Sequence, residues 1–435
     1  MTNPVIKTAA DEALEAVLKN AQGGLVGEAR FASLRADAIS LFEAEGLPNK
    51  RVEDWKYSDL KRMMPADVAL SEPADEAVLT SLLSELNILQ GVDRARIVLA
   101  NGAFMASLSN LDKIDASVSV KSVAEALQAG TFVIDDPEVA KDDIALSLNT
   151  ALLQDGVVIE VAEGADVSMP IEICNIVSGG GLSTVRSRVV AAKGAKVSIV
   201  ETFIGDETAY QLNSAIDYRI ADEAEVHVMR LLRDGSEAVH VGSTTAILGG
   251  QARFEHFTMS TGSKFVRSQS FVRFEGEHSN ADLFGATIAD GSQHSDITLK
   301  VDHAVPHCNS KEQYRTVLDD KAEGVFQGKI FVRQPAQKTD GQMMSQALLL
   351  SEDAAFYNKP ELEIFADDVV CGHGATCGEL DEDLLFYLRA RGISHDYAKK
   401  MLVLAFLAEA VENVSNEQFV EALEAYIADR LGVDH

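Results

Sequence analysis

The densest set of potential ligands in the sequence is Cys371-Gly-His373-Gly-Ala-Thr-Cys377. Thiolate and imidazole are soft or borderline donors, suited to iron, zinc or sulfide chemistry. Gly372 and Gly374 leave little bulk beside His373, so a second backbone or subunit can come close. The set is not a complete zinc motif, and a buried strand in which Cys371 acts as a small hydrophobe is the competing reading. A second group, His303-Ala-Val-Pro-His307-Cys308, has helical His spacing, but Pro306 argues against helix and for a turn. Cys174, within Pro170-Ile-Glu-Ile-Cys-Asn175, reads as a packed thiol. His227, His240, His256, His278, His294 and His395 show no partner spacing, and His435 is terminal. There is no phosphate-binding G-x-x-x-x-G-K-[ST] loop and no G-x-S-x-G elbow, so neither ATP hydrolysis nor serine hydrolysis is expected of this chain.

Three regions must position these residues: 1–150, 151–378 and 379–435. In the first, Phe31, Leu34, Ala38 and Leu41 mark one face of a helix that Gly46 and Pro48 end. The lone tryptophan lies in Arg51-Val-Glu-Asp-Trp-Lys-Tyr-Ser58, where it reads as an anchor onto the next region. Arg96–Ala100 reads as a short strand and Ser122–Ala129 as a short helix.

From 151 to 378 short alternating runs succeed one another without long amphipathic helices, and a weak repeat emerges. Val161-Ala-Glu-Gly-Ala-Asp-Val167, Ala191-Ala-Lys-Gly-Ala-Lys-Val197, Ile220-Ala-Asp-Glu-Ala-Glu-Val226, Leu248-Gly-Gly-Gln-Ala-Arg-Phe254 and Phe274-Glu-Gly-Glu-His278 each read as a tight turn entering a strand. Taking Gly164, Gly194, Glu223, Gly250 and Gly276 as equivalent turn positions implies stacked coils that share one core. The fold class is therefore mainly β, a β-helix or related β-solenoid; a large antiparallel sandwich is the alternative.

After 378 three helices follow. Asp381 caps the first, with Leu384, Leu385 and Leu388 on one face. Ser394 caps the second, through Met401, Leu404 and Ala408, and Ser415 with Gln418 forms a capping box for the third, through Phe419, Leu423 and Ile427. This end is expected to cap the last coil and to offer a docking surface.

Lys plus Arg number 38 against 68 Asp plus Glu, a formal charge of −30, which disfavours nucleic acid and anionic membrane as partners. Met1–Ala9 shows no leader-like apolar run, and Met401–Val411, interrupted by Glu409, is too short to span a bilayer. Four cysteines form no disulfide framework, and a cytoplasmic location is expected.

Read in order, Phe326-Gln-Gly-Lys-Ile-Phe-Val332, Ala336-Gln-Lys-Thr-Asp340, Ala347-Leu-Leu-Leu-Ser351, Pro360-Glu-Leu-Glu-Ile364, Ala366-Asp-Asp-Val369, Cys371–Thr376 and Leu385-Phe-Tyr-Leu-Arg-Ala-Arg-Gly392 resemble the C-terminal part of the SufB/SufD family. Arg51-x-Glu53-x-Trp55-Lys-Tyr57 resembles the N-terminal motif of its SufD branch, as do the glycines around His373, where SufB chains carry acidic residues. Cys377 departs from the family, whose usual residue there is apolar. The resemblance implies a right-handed parallel β-helix flanked by an N-terminal α/β region and a C-terminal helical region. It implies a scaffold subunit, without catalysis of its own, in iron–sulfur cluster biogenesis. Its expected partners are a SufB-type paralogue along the β-helix and the ABC-type ATPase SufC at the C-terminal helices, with self-pairing when the chain is alone. By position, His373 then faces the SufB interface and helps hold a nascent cluster. Cys371 is a weaker candidate and Cys377 an extra thiol ligand. Asp381, Leu385, Tyr387, Arg389 and Arg391 fall in the ATPase-docking region. No tightly bound cofactor is expected in the isolated chain; a transient iron–sulfur cluster at the SufB interface is, and a flavin requirement is left open. A β-helix carbohydrate-active enzyme or acyltransferase is the alternative.

Overall fold

The computed structural model describes residues 7–21, 28–89 and 91–433. Most of Met1–Ala9, where no leader is expected, and His435 lie outside them.

Among the described residues, strands of mostly about ten residues alternate between two sheets of ten and nine strands, and from Val157–Val161 to Asp340–Leu349 each pairs in parallel with the strand two further along. The result is a right-handed β-solenoid of flattened coils, two long strands to a coil. The strand expected at Arg96–Ala100 forms as Ala95–Ala100 and joins the ten-stranded sheet beside Asp166–Val177. The helix expected after Ser122 forms with a complete capping box to Glu125.

The repeat is real but its register differs from the sequence reading at two copies. Along one row of turns the residues with left-handed backbone are Gly164, Gly194, Glu223, Gln251, His278, His307 and Lys338. Amide-to-carbonyl bonds link Gly164 to Lys193, Gly194 to Asp222, Glu223 to Gly250 and Gln251 to Glu277. Gly250 and Gly276 therefore precede the rung positions instead of occupying them. Glycine marked the rung only where glycine happens to fill it; the rung itself is set by stacking of one coil on the next.

Alternation sends one set of side chains into the lumen, where Val226, Phe254, Leu283, Phe326, Ile330 and Met343 belong to a continuous core. The other set faces outward and is covered by helices. On the nine-stranded sheet the cover is helical, with Leu14, Ala38, Phe42, Leu148 and Leu152 packed on Leu182, Val239, Val241 and Phe265. The Phe31 helix (Glu28–Glu45) buries Phe31, Ala38 and Phe42 but leaves Leu34 exposed, because Arg35 takes the inner position and reaches the Leu153 carbonyl.

The Trp55 segment is the anchor expected of it. Trp55 is 2% exposed, with the Arg267 guanidinium 4.0 Å from its ring centroid. The Asp54 carbonyl accepts from Arg267 at 2.9 Å and Gln327 at 3.1 Å, Lys300 meets the Asp54 carboxylate at 2.7 Å, and Ser58 donates to Asp296.

The C-terminal helices do not cap the last coil. His395–Val411 and Glu417–Leu431 lie on the outer face of the ten-stranded sheet, burying Val403, Leu407, Val411, Phe419, Leu423 and Ile427 against Phe257, Met259, Phe284, Ile288 and Val317. That sheet face is apolar and covering it is worth about 1.5–3 kcal/mol per large side chain, so it outcompetes the solenoid end for the helices. The buried stripe of the second helix is accordingly Val403, Leu407 and Ala410, offset from Met401, Leu404 and Ala408. Asp381 and Ser394 cap as expected. The third cap is Asn416; Ser415 instead donates its amide and hydroxyl to the buried Glu255 carboxylate, pinning the turn to the sheet. Among the described residues no helix is long and apolar enough to cross a membrane.

Candidate functional site

Val370–Gly378 is the last strand of the ten-stranded sheet and Ala355–Ile364 the last of the nine-stranded one. Both present one edge with no further strand. Register places Cys371 on Gly341, His373 on Met343, Ala375 on Ser345 and Cys377 on Ala347. Gly341, Met343, Ser345 and Ala347 all face the lumen, so Cys371, His373 and Cys377 continue lumenal columns at the open mouth.

An extended strand sets the distances between these groups. At about 3.3 Å per residue, His373 lies roughly 7 Å along the strand from Cys371, and Cys377 roughly 20 Å. The cluster that is dense in sequence is thus spread in space. Among the described residues no three His, Cys, Asp or Glu side chains are placed to hold a metal ion. Burial raises the Cys371 and Cys377 thiols, with Asp340 and Glu312 adding to the effect at Cys371, so neither is poised as a free thiolate. His373 is exposed.

Gly372 and Gly374 take the outward positions between these residues, in register with Gln342 and Met344. A side chain at Gly374 would meet the Met344 methyl and sulfur. His373 and the two glycines line a shallow depression of about 310 Å³ whose other walls include Glu312, Met343 and Met344. The rim of the last coil is apolar: Val370 is 64% exposed and Phe365 58%, with Ile364 and Tyr357 beside them.

The short helix Glu382–Ala390 follows at once. Leu385 is buried at 3% and fixes the helix to the body, while Leu384 and Phe386 stand exposed. Asp381 caps the helix; Tyr387, Arg389 and Arg391 are exposed, with the Arg391 guanidinium 3.5 Å from the Tyr387 ring centroid.

Two lumenal features were missed in the sequence. Asp234 Oδ2 lies 2.9 Å from His240 Nδ1, and His240 Nε2 2.8 Å from Ser214 Oγ, the order of a hydrolytic relay. All three are buried at 5% or less and Arg230 also donates to the Ser214 hydroxyl, so no acyl group can approach. Glu312, buried beneath Met343, is the second. Asp234 and His240 are only six residues apart, but Ser214 lies one coil away, 26 residues before His240, and Glu312 is likewise brought under Met343 by coil stacking, so neither has a local spacing signal. Cys174 is packed among Leu79, Val98 and Ile204, its thiol pushed up to about 12 by burial. The expected turn covers residues 304–308, with His303 buried as the last residue of the preceding strand, and the exposed His307 stacks on His278 at 4.8 Å.

Residues 173–406 match the family described as SUF system FeS cluster assembly, SufBD core domain, and residues 27–173 match the SufBD protein N-terminal region. An iron–sulfur cluster assembly SufBD family protein of Synechocystis sp. is 27% identical over 433 residues, covering 95% of this chain and 94% of its own. The iron–sulfur cluster assembly protein SufD of Escherichia coli is 28% identical over 394 residues, covering 89% of this chain and 90% of its own. A SufBD family protein of Mycobacterium leprae is 31% identical over 226 residues, half of this chain and 58% of its own. The uncapped β-solenoid and the matches along nearly its whole length lead to one assignment: the chain belongs to the SufBD family and has that family's role in SUF iron–sulfur cluster assembly.

Proposed function

We propose that the chain is the SufD-type scaffold of a cytoplasmic SufB–SufC–SufD assembly, without turnover of its own, and that His373 on the last coil helps hold a nascent cluster against a SufB-type partner. The observation that carries this reading is the open solenoid end. Two strand edges, an apolar rim and an exposed imidazole lie together where helices cover the two sheet faces but not the end. Such an edge invites a further strand, either a paralogue's or a second copy's. Cys371 shares the lumenal face with His373 and is a secondary ligand once a metal displaces its proton; Cys377, roughly 13 Å from His373 along the strand, is too far to join the same centre. The exposed Leu384, Phe386 and Tyr387, with Arg389 and Arg391, form the surface for the SufC-type ATPase.

The test is co-expression with SufB- and SufC-type subunits, followed by iron and sulfide analysis. The wild-type complex carries both; His373→Ala leaves the complex intact and lowers both at least severalfold. Unchanged iron and sulfide in that variant removes His373 from the site.

A further inference from the structure

Residues 51–58 do more than bury Trp55: their side chains cross four strands of the nine-stranded sheet, from Phe265–Phe274 to the last one, Ala355–Ile364. The root of the segment is held on the first three of these strands. Trp55 lies under the Arg267 guanidinium, the Asp54 carbonyl accepts from Gln327, and Ser58 Oγ donates to Asp296 and lies 2.9 Å from His294 Nε2. Two further side chains then reach the last strand. Lys359 Nζ meets Glu53 Oε1 at 2.5 Å, and the Tyr57 ring stacks on Tyr357 with centroids 5.1 Å apart and planes at 21°. Tyr357 and Lys359 are outward positions, in register with Val325 and Gln327. These two contacts matter because the strand has little else. It pairs with Glu323–Val332 on one side only, and all ten of its residues are half-buried or exposed. A terminal strand of this kind opens readily unless something holds it. The other terminal strand, Val370–Gly378, offers no such hold. Its outward positions are Val370, Gly372, Gly374, Thr376 and Gly378, three of which have no side chain for a covering segment to grip.

We propose that Glu53 and Tyr57 are positioning residues of the partner edge: together they clamp the outer face of Ala355–Ile364 and keep that strand extended for a paralogue's strand, while Val370–Gly378 is ordered by the partner itself. This rests on reading the last coil as the assembly surface. Pairing then begins at the clamped edge, because a preformed strand loses less freedom on binding than one that must be ordered on contact. The clamp holds by side chains alone, so the backbone groups along the free edge stay open to the partner. Its two parts are unequal. Glu53 is largely solvated, and an exposed ion pair contributes little and is screened by salt. The aromatic stack is the larger grip. Because Tyr357 belongs to the apolar rim, the stack also extends the partner's contact surface onto the N-terminal region.

The test is hydrogen exchange on the full chain, with and without the SufB-type partner, in Glu53→Gln, Tyr57→Ser and their combination, Trp55 being left intact. In the free double variant the Ala355–Ile364 amides that bond to Glu323–Val332 exchange about tenfold faster. Those of Val370–Gly378 keep their rate, and the melting temperature is unchanged. Tyr57→Ser alone gives most of the effect, and Tyr57→Phe, which keeps the stack, gives none. Affinity for the SufB-type partner falls at least severalfold in the double variant and is unchanged in Tyr57→Phe, a pattern that a general loss of stability does not produce. Unchanged exchange in Ala355–Ile364 overturns the inference. Faster exchange with undiminished affinity does so too, since the clamp then positions nothing for the partner. A double variant that no longer unfolds cooperatively also overturns it, for the two side chains then hold the whole fold and not one strand. Failure of the scaffold reading shows in the wild type instead: if the partner leaves both last strands unprotected there, the assembly surface is lost and this inference with it, whereas a failed clamp leaves that protection in place.

Discussion

Glu312 is raised to about 8 from an ordinary value of 4.5 by burial, whereas burial lowers His256 and His303 to about 3 from 6.5. Between about pH 4.5 and 8 the folded chain holds the Glu312 proton that the unfolded chain has lost, so this group's contribution falls as pH rises, by about 1.4 kcal/mol per unit. The histidines act the other way: below pH 6.5 the unfolded chain binds protons that the folded one refuses, and stability is lost on acidification towards 3. From these three groups the melting temperature should climb to about pH 6.5 and decline above it. Glu312→Gln should abolish the alkaline decline while keeping the acid one. Melting curves from pH 5 to 9 decide this, and parallel declines in both proteins contradict it. Sequence alone offered no route to Glu312. In Asn309-Ser-Lys-Glu-Gln-Tyr314 polar residues alternate with polar residues, and nothing in that run says which set faces inward. Cys371, His373 and Cys377 were visible as residue types, but their separation became evident only once they lay on a fully extended strand.

At the scale of elements, the Trp55 segment links the N-terminal region to the nine-stranded sheet through packing, stacking and backbone acceptors together. Trp55→Ala should cost about 3–5 kcal/mol, read in denaturant unfolding, with the N-terminal region cleaved first in limited proteolysis. A loss within about 0.5 kcal/mol, typical of a surface site, would mean that the segment is not the anchor. The helix Glu382–Ala390 separates stability from docking along one turn. Leu385→Ala should lower stability by about 2–5 kcal/mol, whereas Leu384→Ser with Phe386→Ser should leave the melting curve nearly unchanged and abolish SufC-type ATPase binding in a pull-down. Undiminished binding by the double variant places that contact elsewhere. Periodicity revealed that these helices exist and how they begin, since caps are local chemistry. It did not reveal which side of the solenoid they cover, because Val403 and Leu407 fit an outer sheet face as well as they fit a coil end. The repeat was likewise legible in period but slipped at Gln251 and His278, where the rung is filled by residues other than the glycine that marked the first copies.

For the molecule as a whole, the fold class followed from strands recurring without helices between them, and the paired sheets bear this out. What the sequence left hidden is the asymmetry of the cover. Helices close both outer faces, and the solenoid end keeps its strand edges, its apolar rim around Val370 and Phe365, and the lumenal column that ends at His373. A net charge of −30 keeps copies of such a chain apart except where this rim allows contact. The central claim is that this end is the face shared with the paralogous subunit. Hydrogen exchange of the Ala355–Ile364 and Val370–Gly378 amides, measured with and without the SufB-type partner, tests it most directly. Strong added protection in both strands, with the Gly164–Gly194 turns unchanged, is the predicted result. Exchange at the two last strands that the bound partner leaves unaltered would contradict the account.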